Sequence, residues 1–319
     1  MRSPRVGGGG PAARVKLAPH PSDDYRAGSP TRGTGIVTAS PSGVLLEQLV
    51  REPAPPASPV AVPASPAPPR PRWWVEVAVL GVLYGIYSLV RNSVGDVAGR
   101  AYRNGREILA LEDSWGLASE RWLNEWVHRT DVVAGAVALH YATLHFLVTP
   151  AVLVWLFVRR PAWYRRISGV LMTTTALALI GFYWLPTAPP RLLLDEGFVD
   201  VMSQTSAWGW WPESGTPGSD AISNQFAAMP SLHCAWAAWC GLVLLLFARR
   251  AWVRLLGVGY PLSTFFVVLG SGNHYLLDVV AGVLVLVAGA TLVHVVRTVV
   301  ARRQEAAGPA GDVALSSRA

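Results

Sequence analysis

Lysine is all but missing from this chain: Lys16 is the only one in 319 residues, so a formal charge of +7 rests almost wholly on arginine. Charge of either sign is scarce, at 15% of residues against about 25% in a soluble domain, while 51% are hydrophobic. That deficit excludes an ordinary soluble globular protein and points to an integral membrane protein. Its basicity suits anionic lipid headgroups at the cytoplasmic surface. No basic stripe or binding motif accompanies the charge, which argues against a nucleic-acid partner. Cysteine is scarce as well. Cys234 and Cys240 fall in one predicted helix, where six residues of rise set them roughly 9 Å apart, beyond the ~7 Å reach of a disulfide. Neither stands at a metal-site spacing, so both read as small core residues. With no His-x-x-x-His, no cysteine cluster and no acidic ladder, the sequence offers no metal cage.

What is abundant is patterned. Residues 1–70 hold Gly, Pro, Ala, Ser and Arg without periodicity, the composition of a disordered tail with a polyproline-type linker at 53–71. No apolar core of signal-peptide length precedes residue 70, so a cleaved signal is not expected. A brief amphipathic helix is expected near 44–50. Apolar runs of membrane length then follow at 73–90, 132–158, 167–185, 231–247, 253–269 and 275–296. Between the first two, Ile108, Leu109, Leu111, Trp115, Trp122 and Trp126 recur among Arg and Glu, which predicts short amphipathic helices on the membrane surface. The expected architecture is an all-α membrane bundle of about six transmembrane helices over 71–300, with short tails at 1–70 and 301–319.

Charge orients this bundle. Arg159, Arg160, Arg165 and Arg166 lie between the second and third runs, Arg249, Arg250 and Arg254 between the fourth and fifth, and Arg297, Arg302 and Arg303 after the sixth. By the positive-inside rule these connections, and both termini, are cytoplasmic. The 186–229 loop, with one Arg and several acids, and the uncharged 270–274 turn fall outside. The 95–130 segment fits less well, having five arginines outnumbered by acids.

Three unusual segments share the outer side: Pro186-Thr-Ala-Pro-Pro-Arg191, Pro230-Ser-Leu-His233, and Gly270-Ser-Gly-Asn-His274 followed by Asp278. Pro230 suits the first turn of a helix, because its missing N–H would have no intrahelical partner there. Ser231 and His233 then stand at a helix start, whose free N–H groups and positive dipole end favour phosphate. His274 and Asp278 are four apart, so on a helix they share a face and the carboxylate can orient the imidazole. A cation, an anion-binding helix start and two histidines are the parts of phosphoryl transfer through a histidine nucleophile.

In order and spacing these segments resemble the type 2 phosphatidic acid phosphatase superfamily. The nearer resemblance is to its inositol phosphorylceramide synthase-like branch, and it covers roughly residues 75–298. Tyr141-Ala-Thr-Leu-His145-Phe is similar to that branch too. The resemblance implies that His274 attacks phosphorus and becomes a phosphohistidine, oriented by Asp278. On the same resemblance His233 would protonate the leaving oxygen and then activate water or an acceptor hydroxyl. Arg191 and Ser231 would hold the phosphate oxygens and neither metal nor cofactor would take part; Asn273 is a further candidate phosphate contact. There are departures. Trp184 stands where the superfamily has a lysine, Leu192 follows Arg191 where proline is usual, Leu232 replaces a glycine, and Val268 stands where an arginine is usual. Arg191 is left with more of the electrostatic load.

Blander readings exist for the same residues. A helix cap is a sufficient explanation of Ser231, and Asn273 suits the turn before a helix. His145, the candidate accessory residue, and His140 lie inside a span, where an ionisable group invites a functional reading; an inter-helix hydrogen bond explains each as well. Trp208, Trp210 and Trp211 fit an interfacial belt or a substrate lid, and the acids at 195, 196, 200, 213 and 220 fit a solvated loop. The reading adopted is a lipid phosphotransferase moving a phosphorylated headgroup, such as inositol phosphate, to a lipid or polyol acceptor. Its substrate would be a lipid phosphate or phospholipid at the outer leaflet of a plasma membrane. The Ala, Arg, Gly and Pro content suits a high-GC bacterium. Hydrolysis of a lipid or prenyl phosphate uses the same residues, since water and an alcohol resolve the same phosphohistidine. A lipid carrier with a broken-helix binding site is the rival of another class, weakened by the lack of matched halves. A scaffold using the Pro-rich tail gives no reason for two histidines and a carboxylate on one side. Oligomeric state is not written in the sequence.

Overall fold

The computed structural model describes residues 72–92, 97–214 and 225–307. The expected tail at 1–70 and the helix expected near 44–50 lie outside the described residues. Helices α1 (Trp73–Asn92), α2 (Ala98–Ser114), α3 (Ser119–His128), α4 (Asp131–Arg159) and α5 (Pro161–Trp184) lead into a loop of short turns containing α6 (Val201–Gln204). Helices α7 (Leu232–Phe247), α8 (Ala251–Gly270) and α9 (Leu276–Ala307) complete the order. Among the described residues the only β pairing is an isolated bridge, so the class is all-α.

Each predicted run lies in a helix. By length and apolarity α4, α5, α8 and α9 are able to cross a membrane. Helix α1 has 20 residues, while apolar α7 has only 16, a rise of about 24 Å. Helix α5 starts six residues before the predicted apolar run, with Pro161 at its first position, where proline's fixed φ is favourable. Helix α9 outlasts its apolar stretch and carries Arg297, Arg302 and Arg303 as far as Ala307. The short tail expected from residue 301 therefore begins as helix.

The body of the bundle is apolar. Val152 and Leu156 of α4, Tyr164 and Leu171 of α5, Trp239 and Val243 of α7 and Leu286 of α9 form one buried cluster. Cys240 belongs to it, and both cysteines are buried and unbridged. Lipid tails are as apolar as these side chains, so association depends on close packing through small residues. At Gly241 any Cβ would collide with the Gly257 carbonyl, which is how α7 and α8 come so near.

The predicted amphipathic helices at 95–130 exist as α2 and α3, but their buried face differs from expectation. Ile108 and Leu109 are buried, Trp115, Trp122 and Trp126 point outward, and Glu112, Glu120 and Asn124 are completely buried. These helices therefore cover one end of the bundle as well as offering tryptophans to an interface. In the following loop Trp208 and Trp210 are about half exposed, as a belt requires, whereas Trp211 is buried and donates Nε1–H to Met202 O (2.9 Å).

Candidate active site

The three motif segments meet where α5 ends, α7 begins and α8 turns into α9. Their main chains are laced together. Thr187 N–H donates to Phe226 O (2.7 Å) and Ala228 N–H to Thr187 O (3.3 Å). Arg191 N–H donates to Gly272 O (2.7 Å), and Ser231 N–H to Asp278 O (3.0 Å). Asn104 of α2 donates Nδ2–H to Pro186 O (2.7 Å), and the Tyr275 hydroxyl donates to Ala188 O (2.9 Å). At Gly282 a Cβ would strike the Ser231 carbonyl, so α9 lies directly against the start of α7.

His274 is buried, with Nδ1 2.9 Å from Ala228 O and 3.2 Å from Asp278 Oδ2. Both neighbours accept hydrogen bonds, so Nδ1 carries the proton and Nε2 keeps its lone pair. Asp278 Oδ2 also accepts Tyr275 N–H at 2.9 Å, which fixes the carboxylate at the head of α9. The expected four-residue pairing is thus realised in a different way. His274 precedes α9, and Asp278 reaches back over the helix start to meet it.

His233 lies in the first turn of α7, its ring centroid 5.9 Å from that of His274. Tyr141 stacks on it at 4.5 Å, and His145 meets it edge-on at 4.3 Å. His145 Nδ1–H donates to Tyr141 O (3.1 Å). His233 Nε2 is buried with no partner among the described residues. Tyr141 stands ten residues into α4, about 15 Å along the helix, so the histidines are recessed within the bundle. His140 is elsewhere: its ring stacks on Tyr260 at 6.3 Å and Nε2 lies 3.4 Å from Thr264 Oγ1, an α4–α8 contact.

Ser231 is the N-cap of α7, and its hydroxyl accepts Cys234 N–H at 3.3 Å. Pro230 is not in the first turn as expected. It precedes the cap through a cis peptide bond with Met229, and the helix begins at Leu232. Asn273 donates Nδ2–H to Ser271 Oγ (2.8 Å), and its own N–H and that of His274 both donate to Val268 O (3.1 Å). Asn273 is therefore held inside the α8–α9 turn.

Arg191 is 3% exposed; its Nη1 donates to Asp200 Oδ2 (2.7 Å) and to Ser214 O (3.4 Å), and its Nε is buried without a partner among the described residues. Asp200 also caps α6, accepting Ser203 N–H at 3.1 Å. Sequence reasoning had counted Asp200 with the solvated acids and so missed the arginine's partner. For Asp195 and Glu196 that reading holds: both lie beside Arg106, whose hydrogen bond keeps Asp195 below the usual carboxylate range. Glu213 is exposed, and Asp220 lies outside the described residues. Asn124 was missed too. It donates to Val199 O (3.0 Å) and Gly270 O (3.1 Å) and accepts Val199 N–H (2.8 Å), pinning the Asp200 loop to the end of α8. A polar residue on an amphipathic helix gives no local sign of such a task.

A family model described as the PAP2 superfamily matches residues 106–292, more than half the chain and all of these segments. The chain belongs to the PAP2 superfamily. Among curated proteins, phosphoinositol dihydroceramide synthase of Bacteroides thetaiotaomicron is 27% identical over 136 residues. That alignment covers 38% of this chain and 42% of the relative's length. No solved structure matches the chain. The similarity supports the inositol phosphorylceramide synthase-like branch of PAP2, a superfamily of lipid phosphotransferases and phosphatases. At the PAP2 positions that depart from the usual cations, Trp184 is 74% exposed, and Val268 is fully buried with its carbonyl engaged by two amides. Arg191 is tied to the turn that carries His274 through its N–H, which donates to Gly272 O.

Proposed function

We propose that this protein is a membrane-embedded lipid phosphotransferase. It moves a phosphorylated headgroup, such as inositol phosphate, to a lipid or polyol acceptor through a phosphohistidine on His274. The observation that carries this reading is the state of His274. Two acceptors hold Nδ1–H, so the lone pair is left on Nε2, and a second histidine stands 5.9 Å away, centroid to centroid. Two histidines this close can serve one phosphate as nucleophile and as proton donor.

In the first half-reaction His274 Nε2 bonds to phosphorus, the P–O bond to the leaving group breaks, and His233 gives that oxygen its proton. Asp278 stabilises the charge that develops on the His274 ring. In the second half, His233 removes a proton from the acceptor hydroxyl, the new P–O bond forms, and the P–N bond breaks. Arg191 carries the phosphate oxygens, drawing its charge partly away from Asp200, with Ser231 at the helix start and Asn273 supporting the turn. His145 and Tyr141 hold the His233 ring. The reaction requires neither metal nor cofactor. The arginine-rich connections support cytoplasmic termini and a site on the outer face of a bacterial plasma membrane. The relative's name, phosphoinositol dihydroceramide synthase, supports transfer rather than hydrolysis.

The test uses protein in lipid vesicles with radiolabelled lipid phosphates and phosphodiesters, comparing wild type with His274→Ala. Label should appear in an acceptor lipid, persist with chelator present, and drop about 10³-fold or more in the variant. Label released only as free phosphate would make the protein a phosphatase. Substrates that bind without bond cleavage would overturn the enzyme reading in favour of a carrier.

A further inference from the structure

Two buried acids stand outside the motifs. Glu112 near the end of α2 and Glu120 at the start of α3 are both 0% exposed. Glu112 Oε1 accepts the N–H of Leu277, in the first turn of α9 and next to Asp278, at 2.6 Å. Glu112 Oε2 and both oxygens of Glu120 have no donor among the described residues, yet the two carboxyl groups lie within hydrogen-bonding reach of each other. Two carboxylates so placed, away from water, do not both stay ionised; one proton between them converts a repulsion into a hydrogen bond. Burial first and the Glu120 contact second push Glu112 up to about 9.

Among the described residues no cation is paired with either acid. Asp278 faces the pair with its own negative charge, and Tyr275 stands beside it with a neutral hydroxyl donated to Ala188 O. Arg106 on α2 is turned to Asp195 and Glu196. Arg121, next to Glu120, lies over the Phe198 ring and reaches toward Asp113. The nearest positive field is the N-terminal end of α9, where Leu277 N–H meets Glu112 Oε1.

We propose that Glu112 and Glu120 share one proton and act as positioning residues for the site. The Glu112 carboxyl anchors the first turn of α9 through Oε1, Asp278 follows in that turn, and Asp278 in turn aims His274. The catalytic consequence rests on the proposed role of His274; the shared proton does not.

The sign of the pH effect follows from linkage. A carboxyl raised in the folded state keeps a proton that the unfolded chain gives up above the ordinary glutamate range. Stability is therefore fully present at low pH and falls as pH rises toward about 9. Glu120→Gln supplies a permanent donor to Glu112, so its melting temperature should exceed that of wild type by a margin that widens from pH 6 to pH 9. Its kcat should hold up on the alkaline side, where that of wild type declines. Glu112→Ala should lower kcat roughly ten- to hundredfold with KM little changed, and Glu112→Gln, which still accepts from Leu277, should restore it. A Glu120→Gln protein whose melting temperature tracks wild type at every pH would overturn the shared proton. A folded Glu112→Ala protein with wild-type kcat would overturn the positioning role. If wild type proves to cleave no phosphoester, the melting arm still decides the shared proton, so that failure is told apart from this one.

Discussion

At the site end of the bundle, residues far apart in sequence are joined by polar contacts: Tyr275 to Ala188 across 87 positions, Asn124 to Gly270 across 146, Leu277 to Glu112 across 165. In the apolar body the work falls to shape, with Val152, Leu156, Leu171, Trp239, Val243 and Leu286 interlocked and α7 brought against α8 at Gly241 and Gly257. The contrast follows from the solvent. Lipid offers apolar side chains nearly what a protein core does, so only close packing distinguishes the folded body. A polar group buried at the site end has no water to fall back on, so donors there are drawn to acceptors on distant segments. Damage at the two ends should therefore register differently, as lost chemistry at one and lost stability at the other.

The largest effect that would sharpen this contrast is Asp278→Asn. An amide beside Nδ1 favours the wrong tautomer, and kcat should fall about 10²- to 10⁴-fold while the protein still folds. Steady-state transfer and thermal melting measured on one preparation check it; a loss seen only in the melt would erase the distinction. Gly241→Leu probes the other end. Forcing a side chain against the Gly257 carbonyl should cost about 1–3 kcal/mol of stability, with kcat per folded molecule unchanged. Reduced kcat at an unshifted melting temperature would mean that the body transmits directly to the site. Ser231→Ala sits on the boundary and should have the smallest effect, about 1 kcal/mol from the lost cap. If kcat/KM drops more than about tenfold without a matching loss of stability, the hydroxyl meets the phosphate as well.

Much of the fold was legible locally. Apolar runs, proline punctuation and the tryptophans at run ends each report on their own neighbourhood, and they led to the α-helical membrane bundle with three motif segments at its head. The His274–Asp278 pairing was legible because four residues of chain keep the two close, whether or not a helix lies between them.

Other features depend on elements distant in the chain, and no local pattern carries them. Pro230 fell outside the helix that it was expected to open: Ser231 takes the cap and gives its own N–H to Asp278 O on α9. Asp200 resembles its solvated neighbours until Arg191 is folded onto it. Two histidines five positions apart on α4 part company: His145 faces His233, while His140 faces Tyr260. Glu112 and Glu120 read as water-facing acids on amphipathic helices and are in fact sealed beneath the head of α9. The sequence by itself determined which stretches are helices in lipid and which residue types gather at the head. Which polar atom faces which was decided only by tertiary packing, since periodicity defines the faces of a helix but not what covers them.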